Sequence, residues 1–147
     1  MRFLFSFLLA IALFTPCLAS YPFIANEGRK LCWFDAQGDV TDTVELKGAP
    51  HDIHVLDNGN VLTHQNTEIV ELDATTHEVV WSFDTKQLAT KKRIELHSFA
   101  PLPNDRMMVA LSGEGKIFEI DRSGNVERSF DLKRDRPHPH RDTRLVR

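Results

Sequence analysis

Three histidines stand at one register of a repeating pattern, each with a leucine five residues on: His51 with Leu56, His97 with Leu102, His140 with Leu145. Imidazole changes charge near neutral pH, so side chains gathered at such a register could serve as general base, nucleophile or metal ligand. His51, His97 and His140 are the catalytic candidates on that ground, although the pattern alone assigns no catalytic residue. Two short pairs, His51-Asp52-Ile53-His54 and His138-Pro139-His140, add a metal reading. They make His51, His54, His138 and His140 candidate ligands for a divalent ion, without the spacing of a structural zinc motif. His138 and His140 would share a strand face, with Pro139 working against regular strand geometry. The competing reading is structural: a repeat copies whatever helped its unit fold, including a histidine bonded to neighbouring backbone. The chain has no P-loop, dinucleotide fingerprint, G-x-S-x-G elbow or H-E-x-x-H, so the chemistries those motifs carry have no support here.

The elements that must position these histidines repeat with them. His51 and His97 lie 46 residues apart, and Asp57-Asn58-Gly59-Asn60-Val61-Leu62 recurs at that offset as Pro103-Asn104-Asp105-Arg106-Met107-Met108. Asp35-Ala36-Gln37-Gly38-Asp39-Val40 through Leu46 aligns with Asp121-Arg122-Ser123-Gly124-Asn125-Val126 through Leu132 without a gap, and Asp73 through Asp84 aligns with one extra residue. In the middle unit, apolar or alternating runs at Ile53 to Leu56, Asn60 to Thr63, Ile69 to Leu72 and Val79 to Phe83 are separated by turn residues. Short strands at this spacing, in a period of roughly 45 residues, predict four-stranded antiparallel blades. The fold class is therefore all-β, a partial β-propeller of about three blades, with units near 22–46, 51–84 and 97–132 and the start of a further blade at 140–147. No stretch after residue 20 sustains a helical period, and the charged segment from Thr85 to Glu95 falls between blades.

Asp35, Asp73 and Asp121 each close a third strand, where a carboxylate can accept backbone N–H groups of the turn. Gly38 and Gly124 can take the left-handed conformation that finishes it. These five residues are read as structural. His77 holds that place in the middle unit, so its turn should differ. Trp33, Trp81, Phe83, Phe118 and Phe130 are assigned to packing between blades, each contributing on the order of 2–3 kcal/mol. Val55, Leu62, Ile69, Leu72 and Val79 join them in the expected core. Glu45, Asp84 and Asp131, at the ends of outer strands, are expected in solvent.

Met1-Arg2, the apolar run Phe3 to Phe14 and Thr15-Pro16-Cys17-Leu18-Ala19 have the layout of a secretory signal peptide, 1–19, cleaved after Ala19. The run is too short for a spanning helix of about 20 residues. The mature chain is thus expected to be secreted or periplasmic, with no transmembrane anchor. Cys32 is then its one cysteine, within the apolar Leu31-Cys32-Trp33-Phe34, so no intrachain disulfide can form and stability must come from burial. The formal charge of −3 is uneven: Lys133 to Arg147 carries six basic and two acidic residues. Without an aromatic platform or nucleic-acid motif beside it, that end reads as a solvated segment rather than a nucleic-acid site. Propellers close with about four to eight blades. The chain is therefore expected to be a truncated propeller, a fragment whose missing blades lie elsewhere, or to self-associate; an open end would expose unpaired strand edges.

Ile69-Val70-Glu71-Leu72-Asp73-Ala74-Thr75-Thr76-His77-Glu78-Val79-Val80-Trp81-Ser82-Phe83 resembles the repeat of the quinoprotein-like (PQQ-like) propeller superfamily. There a turn after Leu-Asp leads into a strand with a docking tryptophan, the place of Trp81. Asp42 and Arg128 hold that place in the other units, and His77 replaces the usual turn glycine. The resemblance implies a blade scaffold, with PQQ a cofactor only if the chain follows the quinone-binding members. His51-Asp52 before Leu56-Asp57-Asn58-Gly59-Asn60, and His97 before Leu102-Pro103-Asn104-Asp105, are similar to the blades of bacterial arylsulfotransferases. In that family channel histidines perform sulfuryl transfer, which by position implies His51, His97 and His140, with His54 adjacent; the unit from His97 lacks the following aspartate. The reading that results is an exported propeller segment that binds a protein or small-molecule ligand or acts as a scaffold. Its alternative is a piece of an arylsulfotransferase-like or quinone-dependent enzyme. In either case the three histidines should face one mouth of a central channel.

Overall fold

The computed structural model describes residues 21–90 and 94–132. The signal-like segment 1–19, the basic end, and the blade start at 140–147 with His138 and His140 lie outside the described residues. Eleven strands form three antiparallel sheets in meander order. Sheet 1 holds β1 (Phe23–Glu27), β2 (Lys30–Phe34) and β3 (Val40–Glu45). Sheet 2 holds β4 (His54–Val55), β5 (Val61–Gln65), β6 (Glu68–Leu72) and β7 (Val79–Asp84). Sheet 3 holds β8 (Leu96–Leu102), β9 (Arg106–Leu111), β10 (Lys116–Asp121) and β11 (Val126–Asp131). Sheet 1 has no strand in the place of β4 and β8, so β1 is its edge.

The turn before each outer strand is built by one device. Asp35 Oδ1 accepts the N–H groups of Gln37 and Asp39, both at 2.9 Å. Asp121 Oδ1 does the same for Ser123 at 2.8 Å and Asn125 at 2.9 Å. Asp73 Oδ1 takes those of Thr75 at 2.9 Å and Thr76 at 2.8 Å. The residue that then needs positive φ is Gly38 at 88° and Gly124 at 87°, but His77 at 56° in the longer middle turn. These bonds hold Asp121 below the usual carboxylate pKa, chiefly through the Asn125 side chain and backbone, and Asp73 through the Thr76 and Thr75 backbone.

The sheets stack face to face. Strand alternation sends Val61 and Leu72 toward sheet 1, where they meet Leu31 and Leu46, with Ile24, Trp33, Val44 and Ile53 around them. Leu62, Ile69 and Phe83 go the other way, against Phe99, Met107, Val109, Leu111, Phe118 and Ile120 of sheet 3. Sheet 2 is covered on both faces, which is why all five residues of β5 are buried. Each fully buried Leu or Ile contributes about 1.5–3 kcal/mol.

Several expected core and solvent positions are corrected. Val55 is 64% exposed because β4 is an edge strand, and Val79 is 52% exposed at the start of the outer strand β7. Phe130 is 49% exposed, on the face of sheet 3 that no described sheet covers. Asp84 is not simply solvated: it accepts the Thr67 hydroxyl at 3.1 Å and the Lys86 N–H at 3.1 Å, capping a 3-10 turn, Thr85–Leu88. Thr85 and Leu88 of that turn are buried, Leu88 in the core between sheets 2 and 3.

Candidate functional site

His51 and His97 do not occupy equivalent places. His51 precedes β4, as expected, but His97 lies inside β8. The register shifts between Leu96 and Ser98, so His97 is the extra residue of a bulge and points to solvent. Among the described residues, no hydrogen bond, ion pair or ring contact joins His97 to His51 or His54, and no group of three His, Cys, Asp or Glu side chains could hold a metal ion.

The histidine-led motif instead ties sheet 2 to sheet 3. Asp52 Oδ2 accepts the Phe99 N–H at 3.0 Å, and His54 Nε2 donates to the Phe99 carbonyl at 3.0 Å. Two side chains on either side of Ile53 thus satisfy both backbone groups of one residue of β8, as a ladder strand would. His51 contributes through its backbone: its N–H donates to Nε2 of buried His64 at 2.8 Å, with the two rings 5.5 Å apart. Burial, aided by His51, lowers the His64 pKa below its ordinary 6.5 against the opposing pull of the Asn66 carbonyl.

At the opposite end of the sheets a cleft of about 590 Å³ opens between the turn Asp57–Asn60 and the turn Pro103–Asp105. Its apolar wall includes Val55, Leu62, Pro101 and Met107, and its polar wall Glu71, Arg106 and Arg122. Glu71 is buried, accepts Asn60 Nδ2 at 2.7 Å and forms an ion pair with Arg122 of the next sheet. Burial pushes the Glu71 pKa up, but the bonds from Asn60 and Arg122 outweigh it, and the group sits below the usual glutamate value. The Arg122 guanidinium lies 4.2 Å from the centre of the Trp81 ring, and Trp81 Nε1 donates to the Arg122 carbonyl at 3.0 Å. Trp81 therefore docks on the neighbouring sheet through a cation and a hydrogen bond. Arg106 donates to Pro103 O at 3.3 Å, to Glu119 at 2.5 Å and to Glu127 at 3.2 Å. Each guanidinium carries five donors, more than these bonds consume.

His64, Glu71, Arg106 and Arg122 were not singled out in the sequence. One signal could have found the acids: Glu71 and Glu119 interrupt apolar strands at the same register, Ile69-Val70-Glu71-Leu72 and Ile117-Phe118-Glu119-Ile120.

No family model and no curated protein matches the chain. Solved propellers do. The WD40 β-propeller domain of Doa1 superposes with a TM-score of 0.60 at 14% identity, over 77% of this chain and 37% of that one. BamB from Moraxella catarrhalis gives 0.53 at 19% identity, over 76% and 33%. A catalytically inactive virginiamycin B lyase from Staphylococcus aureus, with quinupristin, gives 0.54 at 12% identity, over 82% and 44%. These likenesses show the fold: the described residues form three sheets of a β-propeller. The chain spans less than half the length of each of these structures.

Proposed function

We propose that this chain is an exported propeller segment that binds its ligand without transforming it, and that the cleft between sheets 2 and 3 is where binding occurs. The observation that carries this reading is the cleft's composition: an apolar wall facing two arginines, Arg106 and Arg122, with Asp57, Glu71 and Asp105 also in the lining. Such a site suits an apolar body bearing an anionic group, because arginine recognises carboxylate, sulfate and phosphate with paired donors. The layout of residues 1–19 supports export, and among the described residues no helix is long and apolar enough to cross a membrane. The Asp52 and His54 bonds to Phe99 favour a structural role for the histidine motif over an arylsulfotransferase-like or quinone-dependent one.

The test uses 4-nitrophenyl sulfate, 4-nitrobenzoate and 4-nitrophenyl phosphate as probes in calorimetric titrations. Saturable binding of at least one, weakened about ten-fold by Val55→Asp and unchanged by His51→Ala, is expected; Val55 is exposed, so the substitution costs little packing. Absence of binding by all three overturns the reading. Release of 4-nitrophenol that disappears in His51→Ala and His97→Ala variants replaces it with the enzyme alternative.

A further inference from the structure

The end surfaces of the three-sheet stack repeat surfaces that already pack inside it. Between sheets 2 and 3, the Phe83 ring lies against Gly124 so closely that an added Cβ would stand 2.4 Å from Phe83 Cε2. Both partners have counterparts. Phe130 holds in sheet 3 the register of Phe83 in sheet 2, opposite Ile117 as Phe83 is opposite Ile69. Gly38 holds in sheet 1 the place of Gly124, in the gapless match of Asp35–Leu46 to Asp121–Leu132 and with the same positive φ. Among the described residues both counterparts are open: Phe130 is 49% exposed, and a Cβ on Gly38 would meet nothing within 4 Å.

The charges on the two end surfaces also fit. Glu71 of sheet 2 draws its cation, Arg122, from the turn of the following sheet. Glu119, its counterpart, is served within sheet 3 by Arg106 and, at 3.8 Å, by Arg128. The turn that docks on sheet 3 therefore should bring no cation, and sheet 1 has Ala36 where sheet 3 has Arg122. Apolar side chains complete both surfaces, with Met108 exposed on sheet 3 and Phe23 and Val40 exposed on sheet 1.

We propose that sheet 3 of one copy docks on sheet 1 of a second copy, with Phe130 against Gly38 and Ala36 beside Arg128. Two copies joined head to tail at both ends bring together six of the described sheets, inside the range of about four to eight blades in which propellers close. The two end surfaces complement each other because Phe130 and Gly38 repeat the contact of Phe83 with Gly124 between sheets 2 and 3.

The experiment is sedimentation velocity with light scattering on the purified chain. A discrete dimer is expected. Phe130→Glu should weaken it about ten-fold or more, by placing a charge in an apolar contact. Ala36→Arg should weaken it as well, by setting a second arginine against Arg128. Adding Arg128→Trp to Ala36→Arg should restore association, because it rebuilds the Glu71, Trp81 and Arg122 arrangement at the new junction. Circular dichroism confirms folding, which these exposed or half-exposed positions should not disturb. A monomer at about 100 μM, an open-ended series of larger species, or a dimer indifferent to Phe130→Glu overturns the proposal.

Discussion

The two junctions between sheets are locked by the same parts placed in opposite order. Between sheets 1 and 2, Trp33 on β2 stacks on His77 at 4.0 Å, and Asp42, its partner on the outer strand β3, meets His77 Nδ1 at 2.7 Å. Between sheets 2 and 3, the acid, Glu71, is on the third strand and the tryptophan, Trp81, on the outer one, and both hold Arg122. Sheets 1 and 2 thus each offer an indole and a carboxylate from one cross-strand pair to a single side chain from the next sheet's turn. What repeats at these two junctions is a geometry, an aromatic face beside a negative charge, with the two residues exchanged between the strands.

The largest effect expected from breaking either lock is that of Trp81→Ala, about 3–5 kcal/mol in urea melts. It removes ring packing against Phe83, the bond to the Arg122 carbonyl and the surface under the guanidinium. A loss below about 1 kcal/mol would mean that sheets 2 and 3 are held mainly elsewhere.

The locks should differ when their keys are removed. Arg122→Ala leaves Glu71, whose side chain is 4% exposed, without its counter-charge, and is expected to cost about 2–3 kcal/mol. His77→Ala leaves Asp42, 54% exposed and free to hydrate, and should cost about 1 kcal/mol, mostly lost stacking on Trp33. Equal losses in denaturant melts would show that burial of the acid does not separate the junctions.

The glycines extend the comparison to the stack's open end. Gly124→Ala forces a Cβ into Phe83 and strains a left-handed residue, for about 2–4 kcal/mol. Gly38→Ala meets only the strain, about 1–2 kcal/mol, when measured in dilute solution where no second copy is bound. A Gly38→Ala cost that grows with protein concentration would place that turn in an interface.

Much of this architecture was legible in the sequence because its signals are local. Asp35, Asp73 and Asp121 announce their turns by chemistry within four residues, and alternation within short runs marks the strands. The locks were not legible in the same way. A search for tryptophan at the docking position finds Trp81 and discards Asp42, because it looks at one strand, whereas Asp42 works with Trp33 across the strand pair. The histidine register was legible, but its use was not: whether His54 faces a channel or the Phe99 carbonyl depends on how close the next sheet approaches. His64 sits in the run Val61-Leu62-Thr63-His64-Gln65 and gains its role only when folding brings it to the His51 N–H. Val55, Val79 and Phe130 read as core because alternation tells which face a side chain takes and not whether that face is covered.

The smallest expected effect separates the junctions by their histidines. His77 is paired with a carboxylate, whereas buried His64 accepts an N–H at Nε2 and has its pKa lowered by burial and by His51. In the interval between the lowered native value and the ordinary 6.5, the unfolded chain binds a proton that the native state refuses, so stability rises with pH. The contribution of His64 is complete above 6.5 and is lost as pH falls through the native value. Protonation there would also turn Nε2 from acceptor to donor, against the His51 N–H. His64→Gln keeps an acceptor that does not titrate. Urea midpoints measured from about pH 7.5 down to about pH 5 should therefore fall more steeply in the wild type than in this variant. Parallel slopes would show that His64 is wet enough in the native state to take up its proton without cost.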